Sequence, residues 1–437
     1  MIILPMEIVD QIMHNAAQIL QSHPLGASSI ALQSHRYRSV AHRETFSTVI
    51  FQQQPTALGK GDVHRIQELA DLIAGSTRVP TLPGVDTFIA SLSIRLSPYQ
   101  GDYRSSIVTQ SLTTIFDHLF REPVLLNTPV RRLVLTSSTW SNGKPLERSI
   151  RSMIETSYIN SLHLEDSFYV PIGIILGSNV EDFNLNRSII PDRNDPIKKC
   201  HSVSLKSLSI TGGSVNKITF EDLTIAICGQ NLLAPDTFSY LKKFTICVSS
   251  PALAVSVVNS TKVLETLILH DANRLFPSEA SEKPAIEFRL LHFLKELNIT
   301  YHRTIDNKNP QVSPVTFLGE KAPPLLETVT LNITIHSYLR APFPPPADDL
   351  KAAVEERREI SEWDRYLFSL AGFCRLKRIR VKLLVIRHVS LGGENWSDRG
   401  PSWDEAWCPY FMDAFPMCKE AYGDVLVAYS SSWYLVG

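Results

Sequence analysis

The 437-residue chain has almost no net charge: 43 Lys+Arg stand against 44 Asp+Glu, a formal balance of -1. No global field draws it to nucleic acid or to an anionic membrane, so neither is expected as a partner. Cysteines are few and never close together. Cys200, Cys228, Cys247, Cys374, Cys408 and Cys418 include no CxxC pair, which argues against a zinc or dithiol site and for buried thiols in a reducing compartment. Long apolar runs are missing too. The uncharged, largely apolar stretch 244–261 spans 18 residues but contains several Ser and Thr, an Asn and Pro251, which makes it a poor spanning helix. Met1 to Asp10 carries Glu7 and Asp10 and no basic region, so it does not read as a signal peptide. The Asn-x-Ser/Thr sequons at Asn186, Asn259, Asn298, Asn332 and Asn395 then count as chance. A cytoplasmic or nuclear protein is expected.

The motifs of catalysis are equally scarce. No two histidines stand at HxxxH spacing around a Glu, and there is no GxSxG elbow. Gly59-Lys-Gly-Asp62 and Gly212-Gly-Ser214 lack phosphate-loop spacing and read as turns. No catalytic residue, metal or cofactor is expected, and the chain is read as non-catalytic.

What is present is a repeat. With 44% hydrophobic and 20% charged residues the chain has globular composition. A hexapeptide recurs in it: Leu, then Lys or Glu, any residue, apolar, any, apolar. It appears as Leu205-Lys-Ser-Leu-Ser-Ile210, Leu241-Lys-Lys-Phe-Thr-Ile246 and Leu264-Glu-Thr-Leu-Ile-Leu269. It returns as Leu294-Lys-Glu-Leu-Asn-Ile299, Leu326-Glu-Thr-Val-Thr-Leu331 and Leu376-Lys-Arg-Ile-Arg-Val381. Nine Leu-Lys or Leu-Glu pairs occur and six complete the pattern, where chance would complete about two. Looser copies stand at 89/92/94, 130/133/135, 159/162/164 and 180/183/185.

Positions four and six of such a unit point to one side of a strand, and the residues between them point to the other. One unit cannot bury its apolar side alone, whereas stacked units share a core. First positions from 159 onward are spaced 21, 25, 36, 23, 30, 32 and 50 apart. Between the strands run return segments. Residues 107–120 set Val108, Leu112, Ile115 and Leu119 on one helical face, and a second helix is expected from Asp348 through Trp363, Leu367 and Leu370. The proline-rich 341–346 reads as a rigid linker.

Residues 87–390 thus resemble an irregular leucine-rich-repeat solenoid of strands and helices. The Asn or Cys of the full consensus is absent: the position three beyond the sixth holds Gly213, Ser249, Ala272, His302, Thr334 and Leu384.

The first fifty residues carry a second resemblance. Leu4-Pro5-Met-Glu7-Ile8 with Ile12, followed by Ile30, Ser34, Arg36, Tyr37 and Phe46, is similar to an F-box, although Arg36-Tyr37 replaces the usual tryptophan and 13–24 fits poorly. The expected fold is therefore α/β: an F-box-like helical unit at 1–50, a helical linker at 51–86, the solenoid at 87–390 and a Trp-rich C-terminal cap at 391–437. The resemblance implies a substrate-recognition subunit of a cullin–RING ubiquitin ligase of fungal F-box type. Its N-terminus would dock the Skp adaptor, and through it the cullin scaffold, by Leu4, Pro5, Ile8, Ile12 and Ile30. The concave strand face would hold an unknown target protein by Lys206, Ser207, Lys242, Lys243, Glu265, Lys295, Glu296, Glu327, Lys377 and Arg378. The alternative is a protein-binding scaffold in which 1–50 only caps the core. The dense basic run Arg375, Lys377, Arg378, Arg380, Lys382 and Arg387 is expected on the outward face of the last strand, balanced by Glu355, Glu356, Glu359 and Glu362.

Overall fold

The computed structural model describes residues 46–51, 60–76, 88–95, 106–120, 131–136, 159–167, 180–187, 205–211, 238–247, 251–270, 286, 288–304, 323–339, 361, 363–365, 367–369, 375–390, 415–422 and 425–436. The chain divides into two compact units, Met1–Val203 and Ser204–Gly437, a boundary that falls inside the 87–390 span.

The first unit carries β1 (Thr48–Phe51), β2 (Ser91–Arg95), β3 (Arg131–Thr136), β4 (Ile159–Glu165) and β5 (Asp182–Asn186). They pair in chain order, all parallel. Two helices intervene, α1 (Lys60–Ser76) and α2 (Ser106–Phe120), and they pack on each other. Each buries residues at the i, i+3, i+4, i+7 spacing of one helical face: Ile66, Leu69, Ala70 and Ile73 in α1, and Leu112, Ile115, Phe116 and Leu119 in α2. The helix expected from 107 is α2, with Asp117 exposed off the buried face as the pattern requires.

The second unit carries β6 (Ser207–Thr211), β7 (Lys243–Cys247), β8 (Thr266–His270), β9 (Glu296–Thr304), β10 (Thr328–Leu339), β11 (Arg378–Ser390) and β12 (Val425–Val436), again parallel and in chain order. α3 (Pro251–Ser260) and α4 (Pro416–Tyr422) lie between strands. The uncharged run at 244–261 is not one element. Its first part is β7, and Pro251 opens α3, where a missing N–H costs nothing. Valines are poor helix formers, but Ala254, Val255, Val257 and Val258 are all buried, so packing overrides propensity. Thr261 closes the helix by donating from both Oγ1 and N to the Val258 carbonyl, at 2.7 and 3.2 Å.

Every strict hexapeptide forms one strand. First positions Leu205, Leu241, Leu264, Leu294, Leu326 and Leu376 are buried, as are the fourth and sixth positions, for example Leu297 and Ile299. The loose copies behave alike, with Ile89, Leu92 and Ile94, or Val180, Phe183 and Leu185, inside.

The backbone repeats as well. The carbonyl of each second position accepts two N–H groups, from the second and third positions of the next unit. Lys242 and Lys243 donate to Lys206 at 2.8 and 3.0 Å, and Glu265 and Thr266 donate to Lys242 at 2.8 and 2.9 Å. The same fork joins Lys295 and Glu296 to Glu265, Glu327 and Thr328 to Lys295, and Lys377 and Arg378 to Glu327. In the first unit Ala90 and Ser91 donate to Ser47 at 3.0 and 2.9 Å.

The array therefore begins earlier and ends later than the sequence pattern indicates. Phe46 to Phe51, the tail of the F-box-like stretch, holds the first strand. Val425–Val436, in the segment expected as a cap, adds a twelfth strand beside β11. Leu4, Pro5, Ile8, Ile12 and Ile30 lie outside the described residues.

One long-range contact fastens the C-terminal helix. Phe415, at the cap position of α4, has no side-chain oxygen, and the buried Asp364 carboxylate takes its place. It accepts the N–H groups of Met417 and Cys418 at 3.1 and 2.9 Å, while the Cys418 thiol donates to the Asp364 carbonyl at 3.4 Å. Asp364 sits in a helical stretch with the buried Trp363 and Leu367, within the helix expected there. Burial, then the Asp364 hydrogen bond, pushes the Cys418 thiol well above the ordinary thiol range.

Two outcomes test this fold. Leu297→Ala should lower stability by about 2–5 kcal/mol in denaturant titration, whereas the exposed neighbour Lys295→Ala should leave the midpoint nearly unchanged. Asp364→Ala should cost about 2–4 kcal/mol, from two charge-assisted bonds lost at a buried helix end. It should also turn Cys418 from inert to reactive toward a thiol reagent, read against Cys418→Ser.

Candidate functional site

Parallel sheets normally have helices on both faces and nearly continuous apolar strands. Here burial alternates: β6 and β8 each read half-buried, buried, half-buried, buried, half-buried. In these strands one side is core and the other is reachable, whereas on β7 and β10 the outward-side Thr245, Thr330 and Thr334 are buried as well. That outward face is the candidate site.

In the second unit the residues singled out from the sequence form two adjacent rows. Second positions Lys206, Lys242, Glu265, Lys295, Glu327 and Lys377 make the first row, joined by the carbonyl forks. Third positions Ser207, Lys243, Thr266, Glu296, Thr328 and Arg378 make the second, each the first residue of its strand. Lys206, Lys242, Lys243, Lys295, Glu296, Lys377 and Arg378 are exposed, and Ser207, Glu265 and Glu327 are half-buried.

From Lys242 to Lys377 the first row alternates in sign, each Glu standing between lysines of the neighbouring units. Glu265 is clamped between Lys295 at 2.8 Å and Lys242 at 3.3 Å, and Glu327 meets Lys377 at 3.5 Å. The Lys295 hydrogen bond, then that of Lys242, holds the Glu265 carboxyl below the usual carboxylate range, and the same bond raises the Lys295 ammonium. These lysines are more than half exposed, so the ladder is screened by salt and adds little to stability. It works as an aligning edge.

Further along the strands the face becomes polar and uncharged. Asn332 donates to Asn298 Oδ1 at 2.9 Å and to Thr300 Oγ1 at 3.2 Å. His302 and His336 stand with ring centroids 6.0 Å apart. Burial, then the neighbouring His302, pushes the His270 imidazole below its ordinary value. On β11 the face turns basic, with Arg378, Arg380 and Lys382 all exposed. Glu355, Glu356, Glu359 and Glu362, expected to balance them, lie outside the described residues.

The first unit presents a second polar group that the sequence reading did not single out. In-register rows Arg132–Ser161–Asp182 and Val134–His163–Asn184 cross β3, β4 and β5. Ser161 donates to Asp182 at 2.9 Å. The Arg132 guanidinium, which can only donate, lies 3.4 Å from His163 Nδ1 and so assigns the ring proton to Nε2. His163 Nε2 and Asn184 Oδ1 are buried without a hydrogen-bond partner. Burial first, then Arg132, pushes the His163 imidazole below its ordinary value.

Just past these rows, Asp166 and Arg187 hold φ of 48° and 49° at equivalent exits from β4 and β5. That left-handed region is tolerated by Asp and costly for Arg. Arg187 binds Asp166 at 3.0 Å and Glu165 at 3.2 Å, and the Asp166 N–H donates to the Asn186 carbonyl at 2.9 Å. These bonds hold both turns. The only sequence signal for this group is its spacing, at third and fifth positions of the loose copies.

Among the described residues no group of His, Cys, Asp and Glu side chains is arranged to hold a metal ion, and no helix is long and apolar enough to cross a membrane. No protein-family model matches the chain, and no curated protein matches it in sequence.

The His163 environment sets a pH dependence. A folded-state pKa held below 6.5 means the unfolded chain takes up the proton first as pH falls. The stability from neutral His163 is complete above the ordinary imidazole value and is lost as pH drops toward the depressed one. His163→Gln should therefore lose less melting temperature than the parent chain between about pH 7.5 and about pH 5.5.

Proposed function

We propose that this chain is a non-catalytic receptor: the substrate-recognition subunit of a cullin–RING ubiquitin ligase. The F-box-like N-terminus binds the Skp adaptor, and the outward face of a leucine-rich-repeat-like solenoid binds the target protein. The observation that carries the receptor half is a parallel sheet with strands, such as β6 and β8, that turn one side to the core and leave the other reachable. Proteins bind there without any change to the packing that forms the strands. The adaptor half rests on Leu4, Pro5, Glu7, Ile8 and Ile12 in sequence. Such a subunit acts by tethering, raising the effective concentration of target lysines near a charged ubiquitin-conjugating enzyme.

A second reading is a binding scaffold with no ubiquitin role. One observation favours it: the segment ending the F-box-like stretch, Phe46 to Phe51, contains a strand of the sheet.

Capture of the purified full-length chain by an immobilised Skp adaptor separates the two. A point substitution is preferable to deleting 1–50, which would remove β1. The receptor reading expects capture of the parent chain and its loss in Ile8→Asp, with an unchanged melting temperature. Equal capture of both chains, or capture of neither, leaves the scaffold.

A further inference from the structure

A further repeat lies just ahead of the hexapeptide. Leu241, Leu294 and Leu326 donate their N–H groups to the carbonyls of Phe238, Leu291 and Pro323, at 3.1, 3.1 and 3.2 Å. Each of these units is thus entered through a β-turn, and the residue before the first leucine is the third member of that turn. That residue is Tyr240, Phe293 and Leu325 in turn, and Val263 holds the same place before Leu264. The consecutive units of β7 to β10 therefore all carry an apolar residue at the rim where the strands begin. Tyr240 is 62% exposed and Phe293 49%, whereas Val263 and Leu325 are half-buried. Open aromatic and recessed aliphatic residues alternate along the row.

Two residues further on, the charged row alternates over the same units as Lys242, Glu265, Lys295 and Glu327. The carbonyl forks hold these units in step. Neighbouring parallel strands stand about 4.8 Å apart, so the four units span about 14 Å of rim.

Both rows become their own complement when reversed. A two-fold axis between the β8 and β9 units sets Lys242 against Glu327 of a second copy, and Glu265 against its Lys295. The same axis sets the open Tyr240 against the recessed Leu325, and the open Phe293 against the recessed Val263. An isologous contact has this requirement, that residue i meets j while j meets i. An axis through any one unit would instead face like with like. The match ends at β6 and β11, whose second positions are both lysine, Lys206 and Lys377. Sheet twist, about 20–25° per strand, carries those end units away from a contact centred on β8 and β9. The ion pairs within each chain persist, because an ammonium and a carboxylate each have bonding capacity beyond one partner. The aromatic residues supply affinity, and the charges fix the register of the two copies.

We propose that the rim at the start of β7 to β10 is a self-association surface, joining two copies of this chain about a two-fold axis between the β8 and β9 units. This goes beyond the receptor reading and does not rest on it, since adaptor capture and self-association are separate measurements.

The test is the mass of the full-length chain in sedimentation velocity, over a concentration series up to its solubility limit. The parent chain should pass from the mass of one chain to that of two. Y240S/F293S should raise the dimer dissociation constant at least about tenfold. Both side chains are exposed, so the melting temperature should hold. Charge reversal tests the register with the apolar row intact. K295E sets acid against acid across the axis and E265K sets base against base, so each alone should weaken the dimer about fivefold. An equimolar mixture of the two restores every Lys–Glu pairing at the axis and should recover the parent affinity. The mixture decides alone should Y240S/F293S unfold. A single-chain mass at every concentration, a dimer indifferent to Y240S/F293S, or no recovery on mixing overturns the proposal.

Discussion

The fork at each second position is the constraint on which the rest depends. A parallel strand pairs with its neighbour through evenly spaced, slanted bonds, and nothing in that pattern alone fixes where a strand begins. A single carbonyl accepting two successive N–H groups does. It locks Lys206 to Lys242 and Lys243, Lys242 to Glu265 and Thr266, and so on to Glu327 with Lys377 and Arg378. A slip of one residue would turn every apolar fourth and sixth position outward. Register, core and outward face are thus one decision made repeatedly, and the lengths of the connecting segments do not enter it. That is why spacings from 21 to 50 residues are compatible with the same strand.

Magnitudes separate what forms the sheet from what decorates it. Each buried leucine at a first position contributes about 1.5–3 kcal/mol by removal from water. The lysines of the ladder beside those leucines are exposed and their ion pairs are screened, and such pairs are typically worth about 0–1 kcal/mol. Lys or Glu at the second position is best explained as an edge that must stay wet and must not repel the next unit. It follows that the ladder is a poor place to look for target specificity, even though sequence reasoning pointed there. His163 differs because its Nε2 is buried rather than solvated.

The strict hexapeptide made β6 to β11 legible, since Leu at the first position and a charge at the second both carry structural meaning. The ends of the array were less legible for physical reasons. β1 is introduced by Phe46 and Ser47, and β12 by Tyr422 to Asp424, so neither shows the Leu–charge signature. An edge strand has one neighbour to satisfy, and its sequence is correspondingly freer. The Asp364 cap was invisible because it joins residues 53 and 54 positions apart, and nothing local to α4 signals a partner. The group of Arg132, His163 and Asn184 was hidden because third and fifth positions are variable by nature: its meaning appears only when the register sets three strands side by side.

This freedom argues where function resides. Substitution at the first, fourth or sixth position of a repeat reaches the core, so those positions answer to packing. The third and fifth positions answer to packing less, though Thr245 and Thr330 are buried and Ser161 bonds Asp182. At such positions β10 has Thr328 and Thr330, β9 has Glu296 and Asn298, and β11 has Arg378 and Arg380, with no common chemistry between them. Residues required only to be outward would drift toward an unremarkable mixture, as β6 shows with Ser207 and Ser209.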